Sequence, residues 1–379
     1  MWFTRLQTPR GFRDLGPEEV RLYLLVEGRF RETLKKWGYK EVRTSTLDYF
    51  DIIRGGAGEG FTDSIFKVQD YDGRLLSLRG EVTTQIARML ASKAKDEGRL
   101  CYITNCIRYL ESRNLSLREY WQAGAELIGG ERVGADAEAV ALALEMLDSV
   151  GIRASVDLGS MGVIRKLMEK YRIRDYKRLV RAIASKSIDD LRKVTCDMDA
   201  LEVFTILMTK RGRTDLIKAV DERAGCLEEE RAYFEGIYRA LEAYGCASRV
   251  FVDLSTIREM AYYNGLVFEI FTPGMGLPIG GGGRYDAMMK DFGIDTTATG
   301  FALSIDLCIK AIGVADNGKN NDTLKVYYEE GFREKAIGLA RLLRKKGRCC
   351  TLDIYRGERS GILVGERAVV IGSGEEYEP

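Results

Sequence analysis

Residues 258–286 read Arg258-Glu-Met-Ala-Tyr262-Tyr263-Asn-Gly-Leu-Val-Phe-Glu-Ile-Phe-Thr-Pro-Gly-Met-Gly-Leu-Pro-Ile-Gly-Gly-Gly-Gly283-Arg284-Tyr285-Asp286. Two strand-like runs, residues 266–271 and the segment entering the glycines, flank a Pro/Gly turn at 272–278, the pattern of a β-hairpin. A strand interior made of glycine forfeits side-chain packing unless something must come close to its backbone. Taken alone, residues 280–283 allow two readings, a bulged hairpin end or the floor of a small-ligand site. The paired tyrosines and Arg258 just before the first strand supply polar and cationic groups to such a floor.

Upstream, residues 18–37 carry Leu22, Leu25, Val26, Phe30, Leu34 and Trp37 mostly at three- and four-residue spacings, an amphipathic helix that Pro17 can open and Gly38 can stop. By itself this is a surface helix covering a sheet. A strand over residues 39–46 follows, then a hairpin at 65–78 and a helix from about Thr83. Residues 101–128 read as strand, polar loop, strand. Arg108 sits near the end of the first, and Gln122, Gly124 and Glu126 alternate onto one face of the second. An arginine fork binds oxyanions bidentately. A buried carboxylate beside an amide and phenols accepts the N–H of an imidazole-like ring. An isolated strand arginine is also a common surface ion pair, and an acid at position 81 is also a common helix cap.

Further along come a helix over 135–150, a short strand and turn at 154–164, and a basic helical run at 165–193 with eleven Lys/Arg against four acids. Such a run is ordinarily a solvated face. Helices continue over 198–244 with breaks at Gly212 and Gly225, and a strand at 249–253 returns to the hairpin. A helix at 287–292 precedes Gly300-Phe-Ala-Leu-Ser304-Ile-Asp306-Leu307. A hydrophilic linker, residues 315–322, leads to strand, helix, strand, strand over 323–328, 333–346, 349–355 and 368–371.

Composition narrows the function classes. Fifty-eight Lys/Arg against 57 Asp/Glu leave a net charge of +1, so no global field holds a polyanion. No apolar run reaches membrane-spanning length and no signal-peptide core is present, which predicts a cytoplasmic protein. Eight scattered cysteines without a Cys-x-x-Cys pair predict reduced thiols and no zinc site. Histidine is absent altogether, which excludes imidazole general-base and Ser-His or Cys-His mechanisms. No P-loop, dinucleotide fingerprint or internal repeat occurs, and no cofactor is expected.

The Arg-x-x-x-Tyr-Tyr and Gly-Gly-Gly-Arg-Tyr-Asp segments, with Leu78-Arg79-Gly80-Glu81-Val82-Thr83-Thr84, resemble the histidine-recognition motifs of histidyl-tRNA synthetases. They are still more similar to the regulatory subunits of ATP phosphoribosyltransferase, paralogues of those enzymes. The resemblance runs from about Thr8 to Ile312. It implies an α+β fold, a class II synthetase-like antiparallel sheet flanked by helices over residues 1–320. A helical insertion would lie at about 165–245 and a shortened, anticodon-binding-like α/β domain at 321–379. It implies histidine-binding residues Glu81, Thr83, Arg108, Gln122, Glu126, Arg258, Tyr262 and Tyr263. Glu81 would meet the ammonium group with Thr83 in support, and Arg108 both the substrate carboxylate and an ATP α-phosphate. The first helix and strand resemble a motif that builds a homodimer interface, with Ser45 where its strand usually has proline.

Departures from the synthetase pattern are equally specific. The adenine-stacking arginine of motif 3 is Leu307, its acid is Asp306, its second glycine is Ser304, and a motif 2 glutamate is Leu110. Replacing a cation by an alkyl group removes a clamp worth several kcal/mol to a phosphoryl-handling transition state. Glu259 and Ala261 also replace a glycine and an acid of the tyrosine-pair motif. The expectation is therefore a non-catalytic regulatory subunit that works with the short catalytic ATP phosphoribosyltransferase in the first step of histidine biosynthesis. Histidine would be its feedback effector, and it would self-associate as a dimer without membrane or nucleic-acid partners. A divergent active histidyl-tRNA synthetase and a non-catalytic RNA-binding paralogue are the alternatives.

Overall fold

The glycines at 280–283 form a regular strand, and the central sheet is built across them. The computed structural model describes residues 6–109, 117–258, 260–313, 323–356 and 368–372. It divides into two units, residues 1–313 and 314–379.

In the first unit the chain enters through α1 (Pro17–Lys36). Pro17 has no N–H to leave unsatisfied, Glu19 accepts from the Gly16 N–H at 3.0 Å, and Lys35 and Lys36 complement the negative end of the helix dipole. Tyr23, Val26, Phe30 and Leu34 are buried, whereas Val20, Leu24 and Leu25 stay exposed. The strand expected over 39–46 is cut to β1 (Lys40–Glu41). The Thr44 and Ser45 carbonyls are taken by the Arg79 guanidinium at 3.1 and 3.3 Å instead of by a neighbouring strand. Ser45 therefore lies in a connector, its hydroxyl donating to the Leu47 carbonyl. Beyond it β2 (Leu47–Tyr49), α2 (Phe50–Ala57), α3 (Glu59–Thr62), β3 (Lys67–Gln69) and β4 (Leu75–Leu78) make a satellite. Its three strands pair in the order β2-β4-β3.

Next come α4 (Thr83–Ser92), the long hairpin β5 (Gly98–Ile107) and β6 (Glu119–Ile128), then α5 (Arg132–Asp148) and β7 (Ser155–Ser160). The turn expected after β7 is instead the first turn of α6 (Met161–Lys170), capped by the Ser160 hydroxyl, which accepts from the Val163 N–H. The basic run is three helices, α6, α7 (Tyr176–Ala184) and α8 (Ile188–Arg192), followed by α9 (Met198–Thr209), α10 (Thr214–Ala224) and α11 (Glu228–Ala243). Each buries an apolar side, including Leu167, Leu179, Leu191, Phe204, Ile217 and Phe234. Then β8 (Val250–Val252), β9 (Leu266–Phe271), β10 (Gly280–Arg284), α12 (Asp286–Asp291), β11 (Ala298–Ser304) and α13 (Ile305–Ile312) complete the unit.

The central sheet runs β1-β5-β6-β11-β10-β9-β7-β8. Pairings from β5 to β7 are antiparallel, and only the edge pairs β1–β5 and β7–β8 are parallel. Gly280–Arg284 stays in unbroken register with Thr299–Leu303, so no bulge interrupts the glycine strand. In the second unit β12 (Leu324–Tyr328), α14 (Arg333–Lys345), β13 (Cys350–Ile354) and β14 (Ala368–Ile371) form a parallel sheet, order β13-β12-β14. Its own core includes Leu324, Val326, Ala336 and Ala340.

Candidate functional site

The middle of the central sheet carries the site, because β6, β10 and β11 all thin out to glycine or alanine there. An added Cβ at Gly300 would stand 1.8 Å from Glu126 Oε2, and one at Gly281 would stand 2.7 Å from Arg258 Nη1. Both positions must be glycine for a carboxylate and a guanidinium to lie over the sheet.

Glu81, Thr83, Arg108, Gln122, Glu126, Arg258, Tyr262 and Tyr263 all line one cavity of about 60 Å3, joined by Tyr102, Tyr120 and Tyr285. Glu126 is only 2% exposed. Thr83 Oγ1 donates to one of its oxygens at 2.8 Å and the Tyr285 hydroxyl to the other at 2.5 Å. Burial dominates, and pushes its carboxyl up to about 8 against the opposing pull of those two donors. Glu81, also buried, accepts from the Thr84 N–H at 3.0 Å at the start of α4. It is thus a helix cap and a cavity wall together. Burial raises its pKa as well, with the Thr84 hydrogen bonds and Arg108 opposing.

Gln122 donates to the Tyr102 hydroxyl at 3.0 Å. The tyrosines stack edge to face, with ring centroids 4.7 Å apart for Tyr262–Tyr263 and 5.8 Å for Tyr262–Tyr285. Arg108 is held over the rings of Phe61 and Tyr120 at 5.2 and 5.7 Å, and its Nε has no hydrogen-bond partner among the described residues. Arg258 pairs with Glu269 at 3.4 Å. Two carboxylates, two guanidiniums and several phenols around one cavity suit a small zwitterion carrying one further N–H donor. Without an imidazole, proton exchange near neutrality in this set falls to Glu126, whose carboxyl is pushed up to about 8.

A second cavity of about 210 Å3 shares Arg108, Gln122, Arg258 and Gly281 with the first and continues to Leu277, Pro278 and Leu307. Leu307 is 5% exposed and puts alkyl surface where the resemblance places a cation. Asp306 does not face that cavity as a free acid. It accepts from the Tyr23 hydroxyl at 2.5 Å, the Trp121 N–H at 2.6 Å and Arg13 Nη2 at 3.2 Å, tying α13 to α1 and β6. Ser304 caps α13 by accepting from the Leu307 N–H. Leu110 lies outside the described residues. No group of three or more His, Cys, Asp or Glu side chains is arranged to hold a metal among the described residues.

Sequence reasoning missed Tyr285 and Tyr102. The register does signal Tyr102, which pairs with Gly124 across the β5–β6 ladder, so a large ring lies over a residue without one. Nothing local announces that Tyr285 reaches back to Glu126.

A histidyl-tRNA synthetase family model matches residues 11–307. The ATP phosphoribosyltransferase regulatory subunit of Desulfitobacterium hafniense (strain Y51) is 35% identical over 356 residues, covering 90% of this chain and 90% of that one. The chain belongs to the histidyl-tRNA synthetase-like family of ATP phosphoribosyltransferase regulatory subunits. Within this family's wider kinship, the histidine–tRNA ligase of Methanocaldococcus jannaschii is 31% identical over 387 residues, 95% of this chain and 92% of that one. A crystal structure from Bacillus halodurans, described as an ATP phosphoribosyltransferase regulatory subunit/histidyl-tRNA synthetase, matches with a TM-score of 0.84. It is 28% identical and covers 97% of this chain and 98% of its own. The central sheet with its flanking helices is the class II synthetase-like architecture of those relatives.

Proposed function

We propose that this chain is the non-catalytic regulatory subunit of a two-component ATP phosphoribosyltransferase and that free histidine is its effector. The observation that carries the reading is the contrast between the two halves of the cleft. All eight residues of the amino-acid half converge on one cavity, whereas the nucleotide half presents Leu307. In this reading Glu81 meets the histidine ammonium, with Thr83 holding Glu126 beside it. Arg108, whose Nε is otherwise unsatisfied, takes the carboxylate. Glu126 and Gln122 accept and orient the ring N–H groups, and the tyrosines close the sides.

A cleft that binds histidine without activating it can report histidine concentration to a partner. The partner proposed is the short catalytic subunit, which condenses ATP with phosphoribosyl pyrophosphate. Feedback inhibition then requires histidine to favour one assembly state over another by about 1–3 kcal/mol. Self-association through the exposed Val20, Leu24 and Leu25 of α1 and a cytoplasmic location belong to the same proposal. No helix among the described residues is long and apolar enough to cross a membrane.

The test mixes the purified chain with a short catalytic subunit. Co-elution, activation of ATP phosphoribosylation and inhibition by histidine are expected. Arg258 favours a second reading, a divergent histidyl-tRNA synthetase, because it stands intact at the junction of both cavities. Robust histidine-dependent ATP–pyrophosphate exchange by the chain alone would replace the regulatory reading with that one. Salt-sensitive tRNA binding without exchange would point to an RNA-binding paralogue.

A further inference from the structure

A third cavity, of about 700 Å3, is lined by residues of α6, the α6–α7 turn and the 260–263 segment, and shares Tyr263 with the amino-acid site. Its walls carry three guanidiniums, Arg165, Arg172 and Arg174, and one carboxylate, Glu169. Among the described residues none of these four side chains makes an ion pair or a hydrogen bond. The one nearby acid in the turn, Asp175, is committed elsewhere. It caps α7 through the Arg178 N–H at 3.0 Å and pairs with the Arg178 guanidinium at 3.3 Å.

Arg172 adopts φ 54°, an unusual conformation for a residue with a side chain, and reverses the chain immediately after α6. Met168, Ile173 and Tyr263 are buried and give the cavity an apolar floor, and Tyr176 stands at its edge. Arg165, Arg172 and Arg174 are exposed at the walls of the cleft, so their guanidiniums are free to close on an anion. Planar guanidiniums match phosphate oxygens bidentately. The volume falls within the range of small-molecule sites, about 300–1,000 Å3.

We propose that this cleft is a binding site for a small polyphosphate-bearing molecule, a nucleoside or sugar diphosphate. Its phosphates would be held by Arg165, Arg172 and Arg174, with its less polar part on Ile173 and the two tyrosines. Three guanidinium forks offer more bidentate donor sets than the oxygens of a single phosphate can engage, which favours a diphosphate over a single phosphate. Tyr263 forms a wall of both this cleft and the amino-acid cavity, so occupancy of one alters the other reciprocally. That coupling rests on the histidine reading; the site itself does not.

The experiment is calorimetric titration of the full chain at low ionic strength with inorganic pyrophosphate and, separately, ADP, both without histidine. Saturable binding of either is expected, weakened about tenfold or more in Arg172→Ala/Arg174→Ala. Arg165→Glu, on a different element, gives an independent loss. Arg178→Ala, outside the cleft, leaves binding unchanged. Circular dichroism melts establish that the variants fold. No saturable binding of either anion overturns the proposal, as does binding undiminished in both cleft variants. So does binding only of a short single-stranded RNA, which would make the cleft a nucleic-acid contact. Because histidine is absent from these titrations, failure here leaves the amino-acid site untouched.

Discussion

Tyr285 donates a 2.5 Å hydrogen bond to Glu126 across 159 residues of sequence, and it does so inside a cavity wall where, among the described residues, that carboxylate has one other side-chain donor, Thr83. The glycine strand and β6 are thereby joined at the one group best placed to accept a ligand N–H. Whether that acceptor is charged depends on this pair of donors acting against burial.

Removing the Tyr285 hydroxyl takes away one of the two stabilisers of the ionised carboxylate. Tyr285→Phe is therefore expected to move the Glu126 pKa further up from about 8. Near neutral pH it should weaken histidine binding by about 1–3 kcal/mol, read by calorimetry. An unchanged affinity would mean that Glu126 does not contact the effector.

The raised pKa also sets a pH dependence of stability. Between the ordinary carboxylate value of about 4.3 and the folded value of about 8, the folded chain holds a proton on Glu126 that the unfolded chain has released. Stability from this group is therefore full below that window and is lost as pH rises through it. The slope approaches about 1.4 kcal/mol per pH unit and flattens above about pH 8. Glu81, shifted in the same direction, adds to the trend. Urea denaturation of wild type and Glu126→Gln across this window should give a difference that closes at low pH and widens toward pH 8.

Gly300→Ala places a methyl group 1.8 Å from Glu126 Oε2 and 2.6 Å from the Ala125 carbonyl oxygen, which the sheet holds in place. A stability loss of about 1–3 kcal/mol and abolished histidine binding are expected. Gly338→Ala, in the middle of α14 with open space around it, should instead stabilise the second unit by up to about 1 kcal/mol. Similar melting shifts for both variants would contradict the close-approach account.

Asp306 accepts from Tyr23, Arg13 and the Trp121 N–H, so Asp306→Ala strands three donors where α1, α13 and β6 meet. A loss of about 3 kcal/mol is expected in urea denaturation. A nucleotide-handling acid would instead show its effect in ATP binding with little loss of stability.

Much of the fold was legible because its signals are local. The α1 stripe with Pro17 at its start, the Pro/Gly turn between β9 and β10, and the strand–helix–strand pattern of residues 323–356 are each carried by residues near in sequence. The strand over 39–46 was over-read for a long-range reason: its β-like side chains were right, but Arg79 captured the carbonyls a neighbouring strand would have used. The turn expected after β7 gives way to a helix because Ser160, the last residue of the strand, acts as its cap.

The site divides along the same line. Its residue types at their spacings, and the alkyl group at Leu307, are properties of the chain itself, and sequence alone determined them. Tertiary structure decided the rest: that all eight side chains share one cavity, that Asp306 is a structural tie, and that the Glu126 carboxyl sits near 8. Those outcomes depend on desolvation and on partners 159 and 283 residues away, which no local pattern encodes.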